Sequence, residues 1–435
     1  MSGMVGIVLL VGICSGCLLI TGTAHPWSRR INELKEWGVF LLTGVVIAQV
    51  WANVDYASYH ETLHNAWFQI HGIEVSLHFL VNEVFMLFFF GAVAKELAEA
   101  MNVGGVLHRR RAIPPFTAAF GGMVVPAAIY GCFCLFADEP QWSGLAVPCA
   151  TDIAFGILVY EFAAATWPTT TRQLGRTFLL ALAIVDDLLG MLVIALFYSE
   201  DGIAGFLTLR VWLWLSMSVG GVVLGLWLKH LAKSKVIFES WLPYLGPAVI
   251  TWIGLHEAGL HPSLALVPIV MFCMPMYGRD EGIFAKGESE RRHDTVNRFE
   301  HAVKSPVDIF LLFFGLANAG VPWVNGEASW TLFSTAVLLG LLVGKTIGIP
   351  ISTWLIARLQ GVRGAILFGT GPDGLRMPHL IVIGAAASMG FTVAIFVVVA
   401  GEDLPELKLG AIASFSAFAL AKLLNIALIR PTKET

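Results

Sequence analysis

The sequence predicts an all-α polytopic membrane protein, and three observations support this fold class. Of its 435 residues, 57% are hydrophobic and only 13% are charged, and the mean hydropathy is +0.75. This composition excludes an ordinary soluble globular protein. Apolar runs long enough to cross a bilayer recur along the whole chain. Basic residues gather in alternate connections between those runs, as they do on the cytoplasmic side of membrane proteins.

Thirteen apolar segments are predicted to be membrane helices. The first, 4–20, lacks the basic flank and the small-residue cleavage site of a signal peptide, so we interpret it as a helix. We divide the chain into an extra N-terminal helix with its linker (1–35), one transmembrane domain of twelve helices (36–429) and a tail (430–435). The other predicted spans lie approximately at 37–52, 76–97, 114–136, 144–164, 177–198, 204–228, 241–258, 260–276, 306–323, 331–357, 379–400 and 408–429.

The charges of the connections give an independent check on this count. Alternate connections hold 22 of the 27 Lys and Arg residues, whereas the opposite ones contain acidic residues and, at most, Lys408 at the start of a span. Short cytoplasmic loops are enriched in Lys and Arg. The sequence therefore predicts a cytoplasmic C-terminus and an extreme N-terminus on the outer side. The net charge of −4 gives no reason to expect a nucleic-acid partner.

One outer connection, 53–75, is polar, rich in histidine and aromatic residues, and free of Lys and Arg. We interpret most of it as a loop. Its last part, 68–75, is a candidate β-hairpin that turns at His71-Gly72, although this dipeptide is a poorer turn former than Asn-Gly.

Two adjacent aspartates near the centre of the run 178–198 are the first candidates for a functional site. Asp186 and Asp187 are followed by a further eleven residues without a helix breaker beyond Gly190. A carboxylate at mid-membrane costs several kcal/mol unless it is paired, protonated or hydrated. Neighbouring helical residues point about 100° apart, so the two carboxylates face different partners. The structural alternative is a helix that ends here and leaves both aspartates in a loop.

Three more ionisable residues lie deep in predicted spans: Glu83, Asp152 and Lys345. With four acids and one base at this depth, an ion pair between an aspartate and Lys345 is the least costly arrangement, and a purely structural pair is the alternative to a functional one. Charged residues closer to span ends are expected to extend to the interface. These are Lys95, Glu161, Arg210, Glu257, Asp308 and Lys422.

Two spans carry signals of a broken helix. Pro148 removes a backbone hydrogen bond shortly before the polar pair Thr151-Asp152. In 384–399, small residues surround Gly390 and Thr392, which lie at a depth in their span similar to that of Thr151-Asp152. Interrupted spans of this kind indicate the central site of a secondary transporter. Close helix packing through small residues is the alternative for the second span.

The motifs around these residues resemble those of the NhaA-type sodium/proton antiporters, an inverted-repeat transporter family. The resemblance covers approximately 36–429. It rests on the segments CATDIAFGIL, LALAIVDDLLGMLVIALFY, GGMVVPAAIY, GLHPSLALV, RFEHAVKSP, GLANAGV, GKTIGI and GFTVAIF.

The resemblance implies a twelve-helix fold with inverted repeats and two crossed, discontinuous helices, here with one extra N-terminal helix. It implies that Asp187 is the principal ligand of Na⁺ and the proton carrier, with Asp186 beside it. It places Thr151 and Asp152 at the crossing of the broken helices. Lys345 is expected to pair with Asp186, and Asp152 and Lys345 to balance the charged helix ends.

The chemistry follows from burial and competition. A carboxylate removed from water binds a proton more tightly, and oxygen is the ligand that a hard cation prefers. A site that holds either protons or Na⁺ or Li⁺, and must be occupied to reorient, is an antiporter. If more protons than Na⁺ ions move in each cycle, as in the family, transport is electrogenic.

The sequence departs from the family near positions associated with pH activation. Val93 stands where a glutamate is usual, Glu83 replaces an aspartate and Lys304 replaces a histidine. The remaining candidates for a pH response are Glu83, Glu300, His301 and His261, and we expect pH-dependent transport with an altered profile. For each histidine alone, an ordinary interfacial role is the alternative.

Three other functions are alternatives to ion exchange. An intramembrane aspartyl protease needs Tyr-Asp and Gly-x-Gly-Asp contexts that the chain lacks, and Lys345 disturbs a dyad that shares one proton. We therefore predict no enzyme and no cofactor. A sodium-coupled organic-anion symporter and a non-transporting paralogue stay open. The expected partners are Na⁺ or Li⁺, protons, the lipid of a bacterial inner membrane and a second copy of the chain, held through 53–75.

Overall fold

The computed structural model describes residues 38–70, 73–101, 113–197, 209–231, 240–275, 295–324, 328–359 and 374–429. The described chain is mostly helical. The predicted first helix (4–20) and both chain termini lie outside these ranges. By length and composition, five helices of the described part can cross a membrane, or up to seven if each of two bent helix pairs is one span.

The described residues divide into two compact units, each built from two separate stretches of the chain. The first combines residues up to Gly104 with Ile194–Glu327, and the second combines Gly105–Val193 with the residues from Ala328 onward.

The described residues of the first unit form seven helices and one hairpin. The helices are α1 (Val39–Val54), α2 (Tyr56–His64), α3 (Leu77–Met101), α7 (Leu209–Leu231), α8 (Leu245–Glu257), α9 (Pro262–Cys273) and α10 (Thr295–Asn318). Its core joins side chains of α3, α8, α9 and α10, among them Ala248, Ile269 and Phe299. Helices α1 and α10 approach closely at Gly315, where a Cβ atom would lie 2.7 Å from the carbonyl oxygen of Leu41.

The hairpin predicted near residue 70 is confirmed. Strands β1 (Phe68–Ile70) and β2 (Ile73–Val75) pair antiparallel, with Phe68 opposite Val75. The prediction that the rest of 53–75 is a loop is wrong in part, because α2 lies there. The side chain of Asp55 accepts a hydrogen bond from the backbone N–H of Ser58 at 3.0 Å and so caps α2.

In the second unit, the residues that the structure describes form seven helices. They are α4 (Ile113–Phe136), α5 (Ile153–Ala163), α6 (Thr169–Phe197), α11 (Leu332–Leu359), α12 (Met377–Ala387), α13 (Phe391–Ala400) and α14 (Pro405–Leu428). Short 3₁₀ turns at Trp142–Gly144 and Val147–Cys149 precede α5. Both predicted breaks are present: the chain bends by 48° between Cys149 and Ile153, and by 49° between Ala387 and Phe391.

Two helices begin earlier than their apolar runs. We predicted spans from 177 and 306, whereas α6 begins at Thr169 and α10 at Thr295. The added turns carry polar and basic residues such as Arg172 and Lys304, so hydropathy excludes them although they continue the helix. Hydropathy reports the part of a helix that crosses the hydrocarbon, and backbone hydrogen bonding extends beyond it.

Candidate ion-binding site

The two adjacent aspartates lie on α6 inside the second unit. Asp186 and Asp187 are 4% and 6% exposed, so both carboxylates are removed from solvent within the protein. The alternative in which the helix ends before them is wrong, because α6 continues to Phe197. As consecutive helical residues, they present their carboxylates to different neighbours.

Asp186 forms a buried ion pair with Lys345. The Nζ atom of Lys345 lies 3.0 Å from Oδ2 of Asp186, and the two side chains are 1% and 2% exposed. The predicted contact is therefore present. Asp186 Oδ1, by contrast, accepts no hydrogen bond from the described residues. One face of this carboxylate is thus engaged by the lysine, and the other is available to a further ligand.

Lys345 is placed by an irregular turn of α11. The segment Gly340–Lys345 is π-helical, a form that occurs mostly as single turns near functional sites. Besides Asp186, the ammonium group donates hydrogen bonds to the carbonyl oxygen of Ala150, at 2.5 Å, and to the hydroxyl of Thr151. Ala150 follows the turn Val147–Cys149, so the cation meets the negative end of a helical turn.

Thr151 connects the ion pair to the second break. Its hydroxyl group donates to Oδ2 of Asp186 and is also within hydrogen-bond distance, 3.2 Å, of the carbonyl oxygen of Ala387. Ala387 is the last residue of α12. A single threonine hydroxyl therefore contacts α6, α11 and the end of α12.

Asp152 lies at the N-terminal ends of two helices. As the N-cap of α5, its Oδ1 accepts a hydrogen bond from the backbone N–H of Phe155 at 3.1 Å. Its Oδ2 accepts from the backbone N–H of Thr392, at 3.2 Å in the first turn of α13, and from the Thr392 hydroxyl. A negative charge is favourable at helix N-termini. Asp152 therefore accepts hydrogen bonds in the first turns of both α5 and α13.

The two breaks also contact each other through the backbone. The N–H of Asp152 donates to the carbonyl oxygen of Met389 at 2.7 Å. Gly390 permits this close approach, since a Cβ atom there would lie 2.8 Å from the Ala150 oxygen and 2.7 Å from a methyl group of Leu341. The small residue at this position thus allows an irregular chain to pack at the centre of the unit.

The predicted site residues form one group within the second unit. Thr151, Asp186 and Lys345 are connected by hydrogen bonds and one ion pair, and Asp152 and Asp187 are their sequence neighbours, next to Thr151 and Asp186. This group contains carboxylate, hydroxyl and backbone carbonyl oxygens. These are the ligand types that a hard cation such as Na⁺ prefers.

The four candidates for a pH response lie in the first unit and do not form one cluster. Glu83 Oε1 is 3.9 Å from His261 Nε2, and His261 Nδ1 is 2.8 Å from the hydroxyl of Ser263. Glu300 instead pairs with Lys95, and His301 is exposed. Of the other two departures from the family pattern, Val93 is buried and Lys304 is exposed.

The expectation that Lys95 extends to the membrane interface is wrong. Its side chain is 7% exposed, and Nζ lies 2.5 Å from Glu300 and 3.0 Å from Glu99. A lysine near a span end stays buried when carboxylates on its own and a neighbouring helix replace its hydration. Lys422 does show the expected behaviour, since its ammonium group is near the surface, 4.9 Å from the ring centroid of Phe162.

Sequence reasoning missed two buried polar contacts. Thr392 was noted only as a small polar residue near a break, yet it donates two hydrogen bonds to Asp152. Asn82 and Asn318 exchange amide hydrogen bonds of 3.1 and 3.0 Å within the first unit. The only signal in the sequence was a polar residue within an apolar run, which does not identify its partner.

Comparison with known proteins identifies the family of this chain. The Na⁺/H⁺ antiporter 1 family matches residues 29–428. The Na⁺/H⁺ antiporter NhaA of Jannaschia sp. (strain CCS1) is 38% identical over 428 residues, which cover 90% of this chain and 96% of that protein. The NhaA proteins of Desulfitobacterium hafniense (strain DSM 10664 / DCB-2) and Geobacter sulfurreducens are each 36% identical, over 93% and 92% of this chain and 98% of each relative.

The match extends over almost the whole sequence, and the similar proteins are aligned over nearly their full length. Together with its apolar helices, this makes the chain a multi-pass membrane protein of a transporter family rather than an enzyme family. The chain belongs to the Na⁺/H⁺ antiporter 1 family.

Proposed function

We propose that this protein exchanges cytoplasmic Na⁺ or Li⁺ for external protons, with Asp187 as the principal cation ligand and proton carrier and Asp186 beside it. The observation that carries the proposal is the pair of consecutive buried carboxylates on α6, one of which is held by Lys345. Buried charges inside membrane helices mark ion pathways. The names of the similar proteins support the same activity.

Exchange follows from competition at one site. A proton on a carboxyl group removes the charge that attracts Na⁺, and a bound Na⁺ disfavours protonation. If only an occupied site reorients between the two sides of the membrane, the two ions move in opposite directions. Two carboxylates allow more than one proton to be exchanged for each Na⁺, so we propose that transport is electrogenic and responds to membrane potential.

The ion pair gives the second carboxylate a specific part in this cycle. Asp186 Oδ2 is engaged by Lys345 and Thr151. A cation that binds Asp186 as well as Asp187 weakens this pair, because the same negative charge then serves two cations. We propose that Lys345 holds Asp186 ionised and in position while the site is empty, and gives way when Na⁺ binds.

Regulation and assembly form the second part of the proposal. The contact between Glu83 and His261, and the residues Glu300 and His301, are proposed to make exchange depend on pH. We propose a homodimer held through the 53–75 segment with its hairpin. Each strand of a two-stranded hairpin has an unpaired edge, and this edge can pair with the hairpin of a second copy.

The proposed location is a bacterial inner membrane, with the C-terminus in the cytoplasm and the extreme N-terminus outside. The distribution of Lys and Arg among the connections supports this orientation. The proposed architecture is a twelve-helix fold with inverted repeats and one extra N-terminal helix. The two bent helix pairs, each with its break at the ion site, support a repeated arrangement.

The test is the Na⁺-dependent dequenching of a pH-sensitive dye in proteoliposomes, from slightly acidic to alkaline pH. We expect a signal from the wild type, its loss in Asp187→Asn, and its retention in Asp138→Asn, which alters an exposed aspartate. Absence of a wild-type signal with Na⁺, Li⁺ and K⁺ would contradict the proposal. That result would favour a sodium-coupled symporter or a non-transporting paralogue.

A further inference from the structure

The Asp152 carboxylate is balanced by hydrogen-bond donors of two half-helices, α5 and α13. Lys345 is engaged by Asp186, Thr151 and the Ala150 carbonyl group. Asp152 instead accepts hydrogen bonds from Phe155 in α5 and from Thr392 in α13. The charge of Asp152 therefore depends on the first turns of both half-helices, each belonging to a different break.

Thr392 supplies two of these donors. Its backbone N–H lies 3.2 Å from Asp152 Oδ2, and its hydroxyl group donates to the same oxygen. Both residues are buried, at 3% and 5% exposure, so water cannot replace a lost donor at low cost. The backbone bond is available to any residue at this position except proline, whereas the hydroxyl bond requires threonine or serine.

We propose that Thr392 is a positioning residue for ion exchange, acting through Asp152. Its hydroxyl group fixes the carboxylate against α13 and thereby joins the start of α13 to the start of α5. This inference rests on the proposed exchange of Na⁺ for protons and assigns to that reaction a residue that does not contact the cation itself.

The connection reaches the cation ligands through one peptide unit. Asp152 is bonded to Thr151, whose hydroxyl group contacts Asp186 and Lys345. When the carboxylate of Asp152 is free to turn away from α13, the chain at 150–152 loses a constraint that holds Thr151 in place. The expected result is weaker binding of Na⁺, since the ligands are no longer held in the geometry that the cation needs.

The first measurement compares the half-saturating Na⁺ concentration of exchange in proteoliposomes. Loss of a hydrogen bond to a buried charged group corresponds to about a tenfold change in an equilibrium constant. We expect Thr392→Val to raise the half-saturating concentration about tenfold, and Thr392→Ser to recover most of the affinity. The control is Thr353→Val, which removes a buried hydroxyl whose one hydrogen bond to a described residue is to the carbonyl group of Ile349, within its own helix.

The second measurement does not depend on transport. Melting temperatures are determined in detergent for Thr392→Val, for Asp152→Ser and for the double variant. Serine keeps an N-cap group for α5 and removes the carboxylate. If the two residues act together, Thr392→Val lowers the melting temperature of the wild type but lowers that of Asp152→Ser by much less.

The outcomes are distinguishable. If the wild type exchanges ions and Thr392→Val has the same half-saturating Na⁺ concentration as the wild type, the positioning role is overturned and the exchange function stays intact. An equal loss of melting temperature in both backgrounds overturns the coupling to Asp152. If the wild type exchanges no ions, the proposed function fails and the transport role of Thr392 fails with it, while the melting temperatures still decide whether the two residues are coupled.

Discussion

Removal of the Lys345 charge is the most direct test of the electrostatics of the site. Lys345→Met keeps a long side chain but leaves the carboxylate of Asp186 without its cation. The two charged atoms are 3.0 Å apart, and both side chains are almost fully buried. In addition, the carbonyl oxygen of Ala150 and the hydroxyl of Thr151 lose their hydrogen-bond donor.

The size of the effect follows from these distances. At 3.0 Å and an effective dielectric constant of about 20, two unit charges attract each other by about 5 to 6 kcal/mol. The cost of dehydrating both groups offsets much of this attraction in the intact pair. When one partner is removed the other stays buried and uncompensated, and such changes destabilise proteins by about 3 to 5 kcal/mol. We expect Lys345→Met to lower the free energy of unfolding by a similar amount.

Thermal unfolding in detergent measures this effect. A loss of this size lowers the melting temperature by about 5 °C or more. The double variant Lys345→Met/Asp186→Asn is expected to regain most of the loss, because no unpaired charge remains. Lys422→Met is the matched control: its ammonium group is near the surface, and we expect a change of about 0.5 kcal/mol or less.

Two results would refute this reasoning. If Lys345→Met unfolds at the same temperature as the wild type, the ion pair does not stabilise the fold. If the double variant loses as much as the sum of the two single variants, the lysine and the aspartate act independently and their contact is not the source of the effect.

Thr151→Val removes the hydroxyl between Lys345 and Asp186, and we expect it to raise the half-saturating Na⁺ concentration of exchange about tenfold. Thr151→Ser is expected to stay close to the wild type. A similar rise in both variants would contradict a role for the hydroxyl. Lys95→Met removes the lysine that pairs with two partly exposed glutamates. In the same thermal assay we expect it to lower the free energy of unfolding by about 1 to 2 kcal/mol, less than Lys345→Met. Glu83→Gln is expected to alter the pH at half-maximal exchange through its contact with His261, and a profile identical to that of the wild type would exclude this contact from pH regulation. Replacement of the hairpin 68–75 by a short flexible linker is expected to abolish cross-linked dimers in membranes, and persistence of these dimers would place the dimer contact elsewhere.

The sequence by itself determined that the chain contains helices able to cross a membrane and where two of the apolar segments break. Transfer of a segment into a bilayer depends mainly on its own composition, so apolar runs in the sequence predict helices such as Ile113–Phe136 and Leu332–Leu359. Backbone chemistry is equally local. Pro148 removes a hydrogen-bond donor and Gly390 permits close packing, and the breaks lie beside these residues.

Only the tertiary structure decided how the buried polar groups pair. Lys345 and Asp186 are 159 positions apart, and Asp152 and Thr392 are 240 apart, so no local pattern specifies either contact. Family resemblance supplied the first pair, and nothing in the sequence supplied the second. Lys95 shows why the sequence alone does not determine such contacts. A charged residue near a span end has two favourable states, at the interface or in an ion pair, and the packing of distant helices determines which one is available.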